Sequence, residues 1–177
     1  VDNETLVSVE AQSFVNAHGE TVTGQISSEL FVIDPSLDID LMPGEMITET
    51  PSGETVPIES FGAITATFTD SEGNELQLAN SKTAQVRIPA SGSNPPATIP
   101  LFYYDEVQGI WVKEGTATLE NGFYVGEVAH FTTWNADRVY ETIFINGCVV
   151  DKENQPIANA RIRSEGVDYN GSSSAYS

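Results

Sequence analysis

The tripeptide His130-Phe131-Thr132 contains the residue types needed to break a peptide bond from within. A threonine hydroxyl attacks acyl carbons when a neighbouring base takes its proton, and the imidazole two residues away is such a base. If a tight turn strains the Phe131-Thr132 peptide, the Thr132 hydroxyl attacks the Phe131 carbonyl, His130 accepts the proton, and the amide becomes an ester that water hydrolyses. The products would end at Phe131 and begin at Thr132 and stay together in one core. The extra methyl of threonine restricts rotation and slows the attack relative to serine. The same residues also have a structural reading, in which His130 hydrogen-bonds locally, Phe131 fills the core and Thr132 sits on a strand. Backbone strain separates the two readings, and residue types alone do not encode it.

A second constellation is acidic. Asp34, Asp38 and Asp40 fall within seven residues at a spacing suited to a loop around a hard cation. Calcium takes about 6–8 oxygens, so Glu45 or backbone carbonyls would have to join them, and the run lacks the glycine and distal glutamate of an EF-hand loop. A solvated acidic loop is the competing account. Asp70, Glu72 and Asn74 read as hairpin-turn residues. His18 and His130 lack the paired spacing of a zinc site, and no glycine-rich phosphate loop joins a strand to a helix. Asp105 and Glu106 are adjacent on a strand and point to opposite faces. Phe102, Tyr103, Tyr104, Trp111, Tyr124 and Trp134 would suit either a glycan-stacking platform or a sandwich core.

Composition narrows the partners. The chain has 177 residues, 26 acidic and 7 basic, for a net charge of −19. That field repels nucleic-acid phosphates and anionic membrane surfaces, and it suits divalent cations or a surface that must stay soluble. The absence of any run of about 18 apolar residues argues against direct membrane insertion. The single cysteine, Cys148, lies in the apolar run 143–150 and reads as a small core hydrophobe, with pairing to a cysteine beyond Ser177 left open. The acidic start Val1-Asp2-Asn3-Glu4 is unlike a signal peptide, so export would require a leader already removed.

The elements that position these residues are strands. In 64–69, Ile64, Ala66 and Phe68 alternate with threonines; in 83–88, Ala84, Val86 and Ile88 alternate with Thr83, Gln85 and Arg87. Further strands are expected at 6–9, 24–33, 99–105, 110–113, 116–119, 123–128 and 142–150, with almost no helical periodicity. Many short strands between Gly, Pro, Asn and Asp turns predict an all-β, antiparallel β-sandwich over residues 1–138. The unpatterned stretches 34–57 and 90–96 are expected to be exposed loops. Trp111 and Phe131 are expected in the core.

A second unit is expected over 139–177. The residues Gly147, Val149, Asp151, Pro156, Ala160 and Ile162 resemble the opening hairpin of carboxypeptidase regulatory-like domains, with Gln155 a departure from the usual pattern. The resemblance implies the first strands of a transthyretin-like sandwich, incomplete here because an isolated hairpin is marginal in water. The sheet would be completed by more of a longer protein or by another chain.

Residues 10–137 resemble a module of bacterial surface and secreted proteins, and distantly the ectodomains of cartilage intermediate layer protein and astroprincin-type proteins. The matching pieces are 16–24, 42–44, 59–63, 99–106, 109–115 and 130–135. His130-Phe131-Thr132 is also similar to the His-Phe-Ser cleavage site of self-processing sandwich domains related to those of zonula occludens proteins, netrin receptors and ankyrins. These resemblances imply an extracellular or cell-surface β-rich module placed before regulatory-like or repeat domains. The absence of a converging polar site in the sequence points to a non-catalytic structural or adhesive role, with neighbouring domains, identical subunits or, through the aromatic residues, a glycan as partners. Single self-cleavage between Phe131 and Thr132 is one alternative, and a surface filament assembled by strand addition is another.

Overall fold

Alternating apolar and polar residues broken by frequent turn residues leave no stretch able to bury one stripe of a helix. The structure, a computed structural model, is accordingly all-β; it describes residues 5–140, 146–167 and 172–177. In chain order the strands are β1 (Val7–Val9), β2 (Phe14–Val15), β3 (Ser27–Ile33), β4 (Ile47–Glu49), β5 (Thr55–Thr69), β6 (Glu75–Leu78), β7 (Ala84–Pro89), β8 (Thr98–Asp105), β9 (Ile110–Glu120), β10 (Phe123–Val128), β11 (Thr133–Val139), β12 (Arg161–Glu165) and β13 (Ser172–Tyr176). Eleven of them form one sheet folded over as a sandwich, in the order β1-β7-β10-β9-β8-β11-β5-β6-β2, with β3 and β4 branching from β5. β12 and β13 make a separate antiparallel hairpin.

Two cores fill the fold. The larger contains Phe14, Phe68, Leu76, Val86, Ile88, Leu101, Tyr124, Phe131 and Trp134. The smaller contains Ile33, Met42, Met46, Ile58, Ala63, Phe102 and Trp111. It is enclosed because β4 pairs antiparallel with the start of β5 and meets β9 in parallel at Thr48 and Trp111, so that β5, β11, β8, β9 and β4 close a ring.

Strand β5 serves both cores by breaking its own alternation. Ser60 pairs with Asp137 and Ala63 with Asn135, which sets Phe61 and Gly62 opposite the single residue Ala136. This bulge shifts the pleat by one residue, sending Phe61 and Ile64 into the larger core while Ile58 and Ala63 face the smaller. Gly62 has φ +131°, and a Cβ there would lie 2.3 Å from the Pro89 carbonyl oxygen. Only glycine permits both the conformation and the approach of β7.

Several expectations are corrected. The stretch 34–57 is not uniformly exposed: Met42, Met46, Thr48 and Val56 are buried, because two long unbranched side chains plug the open end of the ring. The separate strands expected at 110–113 and 116–119 are one strand, β9, which continues through a bulge where Glu114 and Gly115 lie opposite Leu101. β5 begins at Thr55, nine residues before the alternation that announced it. Cys148 is exposed rather than a core residue, since 146–149 join no sheet. Part of the strand expected at 142–150 lies outside the described residues; Val150 makes an isolated bridge to Pro156.

Replacing Gly62 by alanine combines an unfavourable φ with a backbone clash, and is expected to cost about 2–5 kcal/mol. Gly73→Ala, also at positive φ but with nothing within 4 Å of the added atom, should cost about 1 kcal/mol. Denaturant midpoints of the two variants check the difference; equal losses would mean that β7 does not press on Gly62.

Candidate functional site

The tripeptide sits at the corner between β10 and β11, and each of its residues is tied to a different element. Phe131 is buried, its ring 4.4 Å from that of Phe68 and 5.7 Å from that of Phe14, so it staples the corner to β5 and β2. Its backbone is clasped by Gln77 of β6: the Phe131 N–H donates to Gln77 Oε1 at 2.8 Å, and Gln77 Nε2 donates to the Phe131 carbonyl at 3.0 Å. Alternation on β6 sends Leu76 and Leu78 into the core and leaves Gln77 on the other face, within reach of the corner.

His130 and Thr132 turn to other partners. The His130 ring meets Tyr103 edge-on at 4.6 Å and lies 5.0 Å from Trp134, while its Nε2 is 3.8 Å from Glu114 Oε2. Its carbonyl accepts a hydrogen bond from Trp134 Nε1 at 3.0 Å. The Thr132 hydroxyl donates to the Tyr104 carbonyl at 3.3 Å. None of the three residues has positive φ, and none follows a cis peptide. One element of acyl chemistry is nevertheless present: Gln77 Nε2 already donates to the oxygen that would carry negative charge if the Phe131 carbonyl were attacked.

The acidic loop is organised by its own carboxylates. Asp34 accepts from the Ser36 amide and hydroxyl, and Asp38 caps the 3-10 turn Ile39–Leu41 by accepting from the Asp40 amide. Asp40 pairs with Arg163 of β12, and Glu45 is engaged by Arg161 and by the Ser174 hydroxyl. Among the described residues no three His, Cys, Asp or Glu side chains converge as a metal-binding group, so Asp34, Asp38 and Asp40 are not brought together. Asp70 accepts from the side chain and amide of Asn74 and from the Glu72 amide as the hairpin turn requires, and these bonds, those from Asn74 foremost, hold its carboxyl below the usual range.

The aromatic residues divide between core and margin. Phe102, Trp111, Tyr124 and Trp134 are fully buried, whereas Tyr103 and Tyr104 are half-buried. Burial pushes the Tyr124 phenol up to about 12, and its hydroxyl donates to the Pro96 carbonyl. A cleft of about 560 Å³ opens beside β4 and β9, floored by Val56, Phe102 and Trp111 and rimmed by Glu49, Gln108 and Lys113.

Sequence reasoning passed over two groups. Gln77 reads as an ordinary outward-facing strand residue. Glu59 of β5, Arg138 of β11 and Tyr140 just past the end of β11 form a hydrogen-bonded cluster, with Glu59 buried and the Arg138 guanidinium 2.7 Å from it and stacked 5.4 Å from the Phe61 ring. Glu59 appeared in the sequence only as part of a resemblance.

Comparison with known proteins finds no matching family model, no matching curated protein and no matching solved structure.

Gln77→Ala removes both partners of a buried residue's backbone and should cost about 1–3 kcal/mol. Thermal unfolding of this variant beside Gln85→Ala, an exposed position on β7, checks the value. Equal stability of the two would show that the clasp contributes nothing.

Proposed function

We propose that this chain is a non-catalytic structural and adhesive module of a larger extracellular bacterial surface protein, with the β12–β13 hairpin belonging to the next domain. The observation that carries this reading is the polar junction between the two units. Arg161 and Arg163, two of only seven basic residues, are spent on Glu45 and Asp40, and Ser174 adds a bond to Glu45. A module that transmits position or load along a protein needs such a junction to orient its neighbour, and carboxylates on one side with arginines on the other give both attraction and direction. The acidic surface elsewhere keeps such a protein soluble and discourages unspecific association.

A second reading is single self-cleavage between Phe131 and Thr132, favoured by the Gln77 donor on the Phe131 carbonyl; under it, Thr132→Ala abolishes every split. A third is filament assembly by strand addition. It is favoured by β3, seven residues long, which pairs with β5 on one side only among the described residues and exposes Phe31.

The junction is tested by Arg161→Glu combined with Arg163→Glu in the full chain. Small-angle scattering is expected to show a larger maximum dimension for the variant, and high salt should lengthen the unmodified chain in the same direction. Unchanged scattering in both, with circular dichroism showing intact strands, would remove the junction as support for a spacer role.

A further inference from the structure

The smaller core holds polar side chains in its walls. Asn135 lies opposite Phe102 on β8, and Asp137 lies opposite Ser60 on β5; directly paired residues share a face, so Ser60, Asn135 and Asp137 all point toward the compartment of Ile33, Met46, Ile58, Phe102 and Trp111. The Ser60 hydroxyl is committed to Asn135 Oδ1 at 2.5 Å. Asp137 is 0% exposed, and neither of its carboxyl oxygens accepts a hydrogen bond from the described residues.

Among the described residues no cation forms an ion pair with Asp137. From β5 the nearest charge is Glu59, of like sign. Arg138, next along β11, directs its guanidinium to Glu59 and Tyr140. β8 contributes Tyr104 at the margin of this core, β9 contributes Trp111 and, exposed at the cleft rim, Lys113, and the segment leading into β4 contributes Met42 and Met46. The Trp111 Nε1 and Asn135 Nδ2 donors are buried without a partner among the described residues and do not reach the carboxyl. A carboxylate in this setting would be desolvated and unpaired, which costs far more than holding a proton.

We propose that Asp137 is a proton-held lock on the smaller core: the closed ring of β5, β11, β8, β9 and β4 requires a neutral carboxyl, and ionisation of Asp137 loosens the end of β11 from which the chain leaves toward the hairpin. Burial, and then the charge of Glu59, raise this carboxyl well above its ordinary value of 3.8. Because the folded state binds the proton more tightly than the unfolded chain, the stabilisation is complete below about pH 4 and declines as pH rises toward the folded ionisation point.

The test compares the full chain with its Asp137→Asn variant, which keeps the shape and cannot ionise, by unfolding both across pH. The ratio of folding constants, variant over unmodified, should climb above about pH 4 by up to about tenfold per pH unit before levelling off. A ratio that stays flat over the whole range overturns the lock. Should the variant not fold, infrared spectroscopy of the unmodified protein decides: a protonated-carboxyl band persisting above the pH at which the exposed carboxyls have ionised supports the proposal, and a band lost together with theirs refutes it.

Discussion

Strand β5 has to serve two cores at once, and the rest of the fold follows from how it does so. A strand with an unbroken pleat presents one face to one core along its whole length. By inserting Phe61 and Gly62 opposite Ala136, β5 exchanges its faces midway, so that Ile58 and Ala63 fill the small ring while Ile64 and Phe68 build the large core. The bulge also brings the Phe61 carbonyl to the Ser91 amide and packs Gly62 against the Pro89 carbonyl, which fixes where β7 crosses. β11 follows β5 through the same irregularity, so the position of the His130–Thr132 corner depends on it.

That corner is held from several directions. Phe131 enters the aromatic group of Phe14 and Phe68, Gln77 occupies its backbone, Trp134 bonds the His130 carbonyl, and Thr132 bonds the Tyr104 carbonyl. Such bonding suits the proposed structural role, in which Phe131 anchors β11 before it runs along β5. Asp40 and Glu45, which bond to Arg163 and Arg161 of the hairpin, flank Met42 of the smaller core in the chain.

The strands with uninterrupted alternation were legible from residue types: β10 spans the expected residues, and β7 and β8 differ from expectation by a residue at their ends. β2, β4 and β6 were not, since two to four residues give no period to read and their pairing is decided by partners elsewhere. Met42 and Met46 were hidden because a plug in a ring follows no periodicity. The clasp on Phe131 joins residues 54 positions apart, and the arginine junction spans 116 and 123 positions, distances over which local sequence carries no signal. Asp137 was missed for a different reason: an aspartate ordinarily marks solvent, and only the closure of the ring around it makes it interior.

On the proposed reading, His130-Phe131-Thr132 holds the chain together at a corner and does not cut it. Denaturing mass spectrometry of the purified full chain after prolonged incubation tests this most directly. A single species at 19.1 kDa is the expected result. Two fragments, one ending at Phe131 and the other beginning at Thr132, would contradict it.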